Sequence, residues 1–157
     1  MNGHLRRHTL TRKLTGALRA AQTRTDFSEI AVSSSRPHYP HQELTHTIIG
    51  GIYGVYGGLG AGLLESVYAN ALSVRLRRLG LDVAREVPFT VVFDGVEVGH
   101  YRADLVCNNA VLVEVKAGEH LSPNAFHQTL NYLRLSKLGV ALLVHFGPRL
   151  SFQRLAR

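Results

Sequence analysis

The stretch HYRADLVCNNAVLVEVKAGEH, from His100 to His120, decides how this chain is read. Two apolar runs flank Asn108-Asn109, residues that tolerate the backbone of a tight turn. Asp104 lies on the first run; Glu114 and Lys116 lie on the second. Side chains alternate across a strand, so Val111, Val113 and Val115 face one way and Leu112, Glu114 and Lys116 the other. Pairing the runs as a hairpin brings Leu105 or Asp104 opposite Glu114. Two carboxylates and a lysine then meet among residues that read as sheet core. Such groups are costly unless paired, hydrated or bound to something. Carboxylate oxygens are hard ligands that suit Mg²⁺ or Mn²⁺, and a partly buried ion network is the structural alternative.

Working outward, Leu44–Val55 reads as a helix with Ile48, Ile49, Ile52 and Val55 on one side. Gly50, Gly51 and Gly54 weaken it but permit close packing. Gly57-Gly58-Leu59-Gly60-Ala61-Gly62 lacks the GK[ST] ending and preceding strand of a phosphate-cradling loop, and reads as a flexible helix–helix junction. Leu63–Leu79 is the clearest helix, with Leu64, Val67, Tyr68, Ala71, Leu72 and Leu76 as its apolar face and Gly80 as its stop. Glu65 stands in its first turn, where the helix dipole favours an anion. Arg75, Arg77 and Arg78 cluster at its other end, as a solvated terminus or a phosphate contact.

Asp82–Phe93 reads as a strand that Pro88 assigns to an edge or a bulge, and Asp94-Gly95 as a hairpin turn. Val96–Val106 and Ala110–Ala117 follow as strands. Ser122-Pro123 opens a helix to about Leu138, which Gly139 ends. Val140–Phe146 is the last strand, trailed by a Gly147-Pro148 turn and an Arg-containing tail. The helix between the third and fourth strands implies a parallel crossover. The fold class is therefore α/β, a mixed central sheet flanked by helices.

Four elements in order, Gly62-x-x-Glu65-x-x-Tyr68, Arg102-Ala103-Asp104, Glu114-Val115-Lys116 and Gln128-x-x-x-Tyr132, resemble the small bacterial GxxExxY proteins of the PD-(D/E)xK nuclease superfamily. The resemblance spans roughly Leu44 to Leu155. It implies a restriction-endonuclease-like core in α-β-β-β-α-β order and metal-dependent hydrolysis of nucleic acid by a metal-activated water. Asp104 and Glu114, helped by the Val115 carbonyl, would ligate Mg²⁺ or Mn²⁺, with Glu65 completing the shell or orienting its water. Lys116 would hold the attacking water or stabilise phosphoryl charge. Gln128 would orient water, Lys116 or substrate. Arg102 is a phosphate clamp or ion-pair partner, and Tyr132, Arg75 and Arg78 are further substrate contacts. His120 and His127 read as loop or solvent histidines. The chain departs from the family where the usual proline near Ala61 is missing and Tyr56 replaces a histidine.

Composition sets the outer bounds. A chain of 157 residues, 45 % apolar, fits one domain with a real core. The single cysteine, Cys107, excludes an internal disulfide and reads as a buried small hydrophobe. The net charge is +7, with seven Arg or Lys against three acids in residues 1–43 and eleven against eight in residues 44–157. Residues 1–43 read as a basic, flexible arm, in which Leu5, Leu10, Leu14 and Leu18 line at most a short helix. Residues 44–157 read as the nuclease-like domain. His4, His8, His38, His41 and His46 match no strong metal-site spacing. No apolar run suggests a membrane span and no h-region a secretory signal, so a cytoplasmic protein is the default expectation. The expected partner is nucleic acid, DNA ahead of RNA, read by backbone or shape, and a homodimer could bring two sites to a duplex. Two other classes stay open: a nucleic-acid-binding or repair-associated module with weak or no catalysis, and a structural or interaction protein that keeps the nuclease fold.

Overall fold

The computed structural model describes residues 39–157. Nearly all of the expected basic arm, with its leucine-spaced segment and His4, His8 and His38, lies outside them. Helix α1 (Gln42–Leu59) directs Ile48, Ile52 and Val55 into the core. Of its three central glycines, two are close contacts. A Cβ on Gly51 would come 2.6 Å from Leu76 Cδ2, and one on Gly54 would come 3.3 Å from Arg75 Nε, whereas Gly50 faces open space. Helix α2 (Glu65–Arg78) buries Tyr68, Ala69, Leu72, Ser73 and Leu76. The expected apolar face is corrected at its start, because Leu64 is 74 % and Val67 38 % exposed. The first turn of α2 borders a cleft rather than the core.

Five strands follow, β1 (Val83–Phe93), β2 (Val96–Cys107), β3 (Val111–Ala117), β4 (Val140–Phe146) and β5 (Leu150–Ala156), with helix α3 (Asn124–Ser136) between β3 and β4. They form one mixed sheet in the order β1-β2-β3-β4-β5, antiparallel except for the parallel β3/β4 pair that α3 connects. Pro88 does lie on an edge strand, where its missing N–H breaks no inner ladder. Asp94-Gly95 turns with φ of 50° and 79°, the positive pair a tight hairpin favours. At the start of α3, Pro123 already has helical dihedrals, and the Asn124 N–H donates to Ser122 Oγ at 3.3 Å, so serine and proline act as the sequence implies. The tail after Gly147-Pro148 is a correction: it is strand β5, paired along β4 from Val140↔Ala156 to Phe146↔Leu150.

The sheet separates two cores. On one face α1 and α2 pack on Val83, Leu105, Cys107, Val111, Val113, Val115, Val140, Leu142, Val144 and Phe146. On the other α3 packs on Ala103, Leu112, Ala141, Leu143 and Leu155. The alternation read along β3 is therefore the division between the layers. Cys107 is fully buried, and burial first, then the charge of Asp82, pushes its thiol up to about 12, which leaves it inert. Among the described residues no helix is long and apolar enough to cross a membrane.

Tyr68 links the glycine-rich junction to this framework. Its ring stacks on Phe146 at a centroid distance of 4.3 Å. Its hydroxyl donates to the Gly60 carbonyl at 2.7 Å and accepts from the Leu63 N–H at 3.2 Å. The junction is tied down at both ends of one side chain. Tyr68→Phe keeps the stack and loses both hydrogen bonds, so urea unfolding should show a loss of about 1–3 kcal/mol. An unchanged midpoint would show that the hydroxyl does not anchor the junction.

Candidate functional site

The ladder between β2 and β3 covers only Leu105↔Val113, Val106↔Leu112 and Cys107↔Val111. Continued by one step, that register sets Asp104 opposite Glu114. The strands part there, and the Asp104 carboxylate takes over the role of a strand carbonyl: its Oδ2 accepts the Val115 N–H at 2.7 Å. A residue's N–H and C=O leave a strand on the same side, so the Val115 carbonyl shares this edge. On the other side of β2 the register runs from Arg85↔Leu105 to Val87↔Ala103, leaving Glu86 and Asp104 out of the ladder. Glu86 has φ of 50°, a strained value for a non-glycine residue inside a strand. Across this irregularity β2 changes faces, with Leu105 in one core and Ala103 in the other.

Glu114 is 2 % exposed, and the Lys116 Nζ donates to its Oε1 at 2.8 Å. The same ammonium lies 3.7 Å from Glu65 Oε1 at the start of α2. Glu114 Oε2 is buried with no hydrogen-bond partner. Burial, then the charge of Asp104, pushes the Glu114 carboxyl up to about 7 despite Lys116. Burial also raises Asp104, against the Val115 hydrogen bond and the pull of Lys116. For Lys116 burial works against the charge, but the Glu114 hydrogen bond and the fields of Glu114, Glu65 and Asp104 prevail and hold its ammonium above the usual range.

The expected site residues divide into three groups. Glu65, Asp104, Glu114 and Lys116 come together where β3 ends. Glu65, Asp104 and Arg102 also line a cleft of about 390 Å³ between the start of α2 and strands β1 and β2. Gln128 and Tyr132 stand one turn apart on α3 and bond to each other, Gln128 Nε2 donating to Tyr132 Oη at 2.8 Å. Tyr132 is 5 % exposed and packs edge-on against Tyr101, so it supports the layer beneath Glu114 rather than opening to the cleft. Burial raises its phenol above the ordinary range, an effect the Gln128 bond opposes. Arg75 and Arg78 lie about 15 and 20 Å along α2 from Glu65, and Arg75 rests against Gly54. They are not part of this constellation.

Sequence reasoning missed Arg85 and Glu86, which line the cleft with Leu64, Ser66 and Ala69. Counting back from the Asp94-Gly95 turn carries the signal, since it sets Glu86 near Asp104. The register shift between Val91 and Val92 obscures it. Among the described residues, no three His, Cys, Asp or Glu side chains form a group that could hold a metal ion. The donor set still suits a hard cation. It offers two carboxylates, one of them with a buried oxygen that has no partner, and a strand carbonyl, and Mg²⁺ keeps several of its waters where protein ligands are few.

The family model described as the PD-(D/E)XK nuclease superfamily matches residues 42–156. No curated protein matches the chain. Among solved structures, the crystal structure of SSO0001 is similar at 21 % identity and a TM-score of 0.47, over 74 % of this chain and 59 % of its own. The chain thus spans less than two thirds of that protein.

In chelator, ionising Glu114 costs more in the folded chain than in the unfolded one. Its effect on stability is complete below the unfolded value of 4.5 and is lost as pH rises through about 7. Glu114→Gln removes that loss. From pH 5 to pH 8 the variant should therefore gain on wild type by roughly 1–3 kcal/mol in urea titrations with EDTA. A difference that does not change with pH would mean that Glu114 titrates normally.

Proposed function

We propose that this chain, which belongs to the PD-(D/E)XK nuclease superfamily, hydrolyses phosphodiester bonds in nucleic acid, DNA ahead of RNA, with a divalent cation. One observation carries the reading. A fully buried glutamate, Glu114, keeps one oxygen without a partner beside a second carboxylate and a lysine, at the point where two strands separate. A buried carboxylate oxygen left unsatisfied costs free energy in a purely structural role. The same oxygen is useful if it receives a cation.

Asp104, Glu114 and the Val115 carbonyl would hold Mg²⁺ or Mn²⁺, with Glu65 at the open side of the shell. When bound, the cation supplies charge neutralisation at the phosphate and a more acidic water. The chain's own residues supply position and field. Asp104 is fixed by the Val115 N–H, so its second oxygen has a defined direction. Lys116 is held as a cation by Glu114 and Glu65, and it can donate to a phosphoryl oxygen or to the attacking water as negative charge builds. Tyr132 belongs to the core between α3 and the strand that carries Glu114 and Lys116, and Gln128 donates to its hydroxyl. Arg102 lies on the cleft wall, paired with Glu86, and could turn to a substrate phosphate once that pair opens.

A second reading has its own observation. Lys116 already gives Glu114 a positive partner, and no group of three metal-ligating side chains forms among the described residues. A binding module with weak or no cleavage uses the same cleft. Labelled single-stranded, duplex, flap and RNA substrates with Mg²⁺, Mn²⁺ or EDTA separate the two. Metal-dependent cutting by wild type should fall at least 100-fold in Asp104→Asn, Glu114→Gln and Lys116→Ala, each checked for folding; one electrostatic group at an active site is worth about that much or more. Binding by wild type without product in any metal would replace the nuclease reading with the binding one.

A further inference from the structure

The cleft beside the site contains five charged side chains, and four of them are engaged. Glu65 faces Lys116 at 3.7 Å, Asp104 accepts the Val115 N–H at 2.7 Å, and Arg102 pairs with Glu86 at 3.6 Å. The fifth, Arg85, forms no ion pair or side-chain hydrogen bond among the described residues. Other arginines are engaged elsewhere in the fold. Arg77 donates to the Val83 carbonyl, Arg154 donates to the Pro40 carbonyl, and Arg75 lies over Gly54. Arg85 is thus a guanidinium on a concave wall that it shares with Asp104 and Glu65.

We propose that Arg85 seats a backbone phosphate of the nucleic acid in this cleft, next to the bond presented to Asp104 and Glu114, and that Glu86 weakens that grip by holding Arg102 away from the same phosphate. The proposal rests on the nuclease reading for its substrate class. It adds a residue and a competition that the reading does not contain. A guanidinium matches a phosphate with two parallel N–H donors, and an exposed guanidinium without a partner has no ion pair to break first. Arg102 differs, because its pair with Glu86 must open; that pair is 68 % and 57 % exposed, so opening it costs little. A volume of about 390 Å³ is at the small end of ligand sites and suits one nucleotide unit. Leu64 and Ala69 give it an apolar side for sugar or base. A phosphodiester of this kind is offered by a single strand or by one strand of a duplex.

The opposite signs of the two neighbours make the test specific. Binding of fluorescent oligothymidylate, and of a duplex of equal length, is measured by anisotropy in EDTA across a salt series. The proteins are the full-length wild type, Arg85→Gln, Glu86→Gln and, outside the cleft, Arg134→Gln. Arg85→Gln should weaken binding about fivefold to twentyfold at low salt and make the logarithmic salt slope shallower by roughly 0.7–1. Glu86→Gln should tighten binding severalfold, an effect that general damage to strand β1 would not produce. The larger loss on oligothymidylate or on duplex identifies which strand form supplies the phosphate. Arg85→Gln matching Arg134→Gln in affinity and slope, or no binding by wild type, overturns the proposal. Cleavage assays on the same proteins keep the two ideas apart. Cutting by wild type with no Arg85 effect removes the clamp and leaves the nuclease. A shallower slope in a chain that never cuts leaves the clamp and removes the nuclease.

Discussion

The Lys116 ammonium between Glu114 and Glu65 is the contact on which the site depends. Glu114 is enclosed in the sheet, and a carboxylate so placed is disfavoured unless a cation comes with it. Lys116 can be that cation because it stands two positions along the same strand, where alternation returns a side chain to the same face. Its second contact, with Glu65, joins the end of β3 to the first turn of α2. That turn is positioned by Tyr68, whose hydroxyl fixes the junction before the helix and whose ring lies on Phe146 of β4. Core and site are therefore built from shared parts. The glycine-rich junction looks like spare linker in the sequence, yet it sets the position of a carboxylate.

Asp104 shows a second economy. Strands that separate inside a protein normally leave backbone groups to be satisfied, and here a side chain does it. The bond that completes the sheet also orients the carboxylate. On the far side, Glu86 takes a positive φ and drops out of the ladder at the level of Asp104. The irregularity turns β2 from one core to the other and opens the cleft on the side of α2. A regular strand would keep Ala103 and Leu105 on one face, whereas here they lie in different cores.

Much of this is legible in the sequence, for identifiable reasons. Val111, Val113 and Val115 gave the face of β3 because both sides of the strand are buried and the pattern had no competing period. Pro88 narrows its strand to an edge or a bulge because its missing N–H permits few other places, and the strand lies at the edge. Strand β5 is hard to read from sequence because its alternation is weak: Leu150 and Phe152 are only partly buried and Arg154 follows them in phase. Arg154 belongs there because its guanidinium reaches the Pro40 carbonyl and the Tyr39 ring, a pairing across the length of the domain that no local pattern reveals. Leu64 and Val67 fitted a helical period, but the period cannot say where the sheet stops beneath the helix. Arg75 was grouped with Arg78 by position, and only the approach of α1 at Gly54 shows that its side chain is already packed.

Charge accounts for why these groups tolerate one another. Lys116 pairs with Glu114 and Glu65, and its field and that of Arg102 act on Asp104, so negative charge is only partly offset in a partly desolvated place. Burial raises both Asp104 and Glu114, which means that the folded chain draws protons toward that deficit. A proton, however, adds a donor that itself needs an acceptor, and Glu114 Oε2 is buried with no hydrogen-bond partner. On the proposed reading, a divalent cation held by Asp104 and Glu114 would offset that negative charge. Proton and, on the proposed reading, divalent cation would thus be rival answers to one electrostatic deficit, which the fold creates by parting two strands where Asp104 faces Glu114.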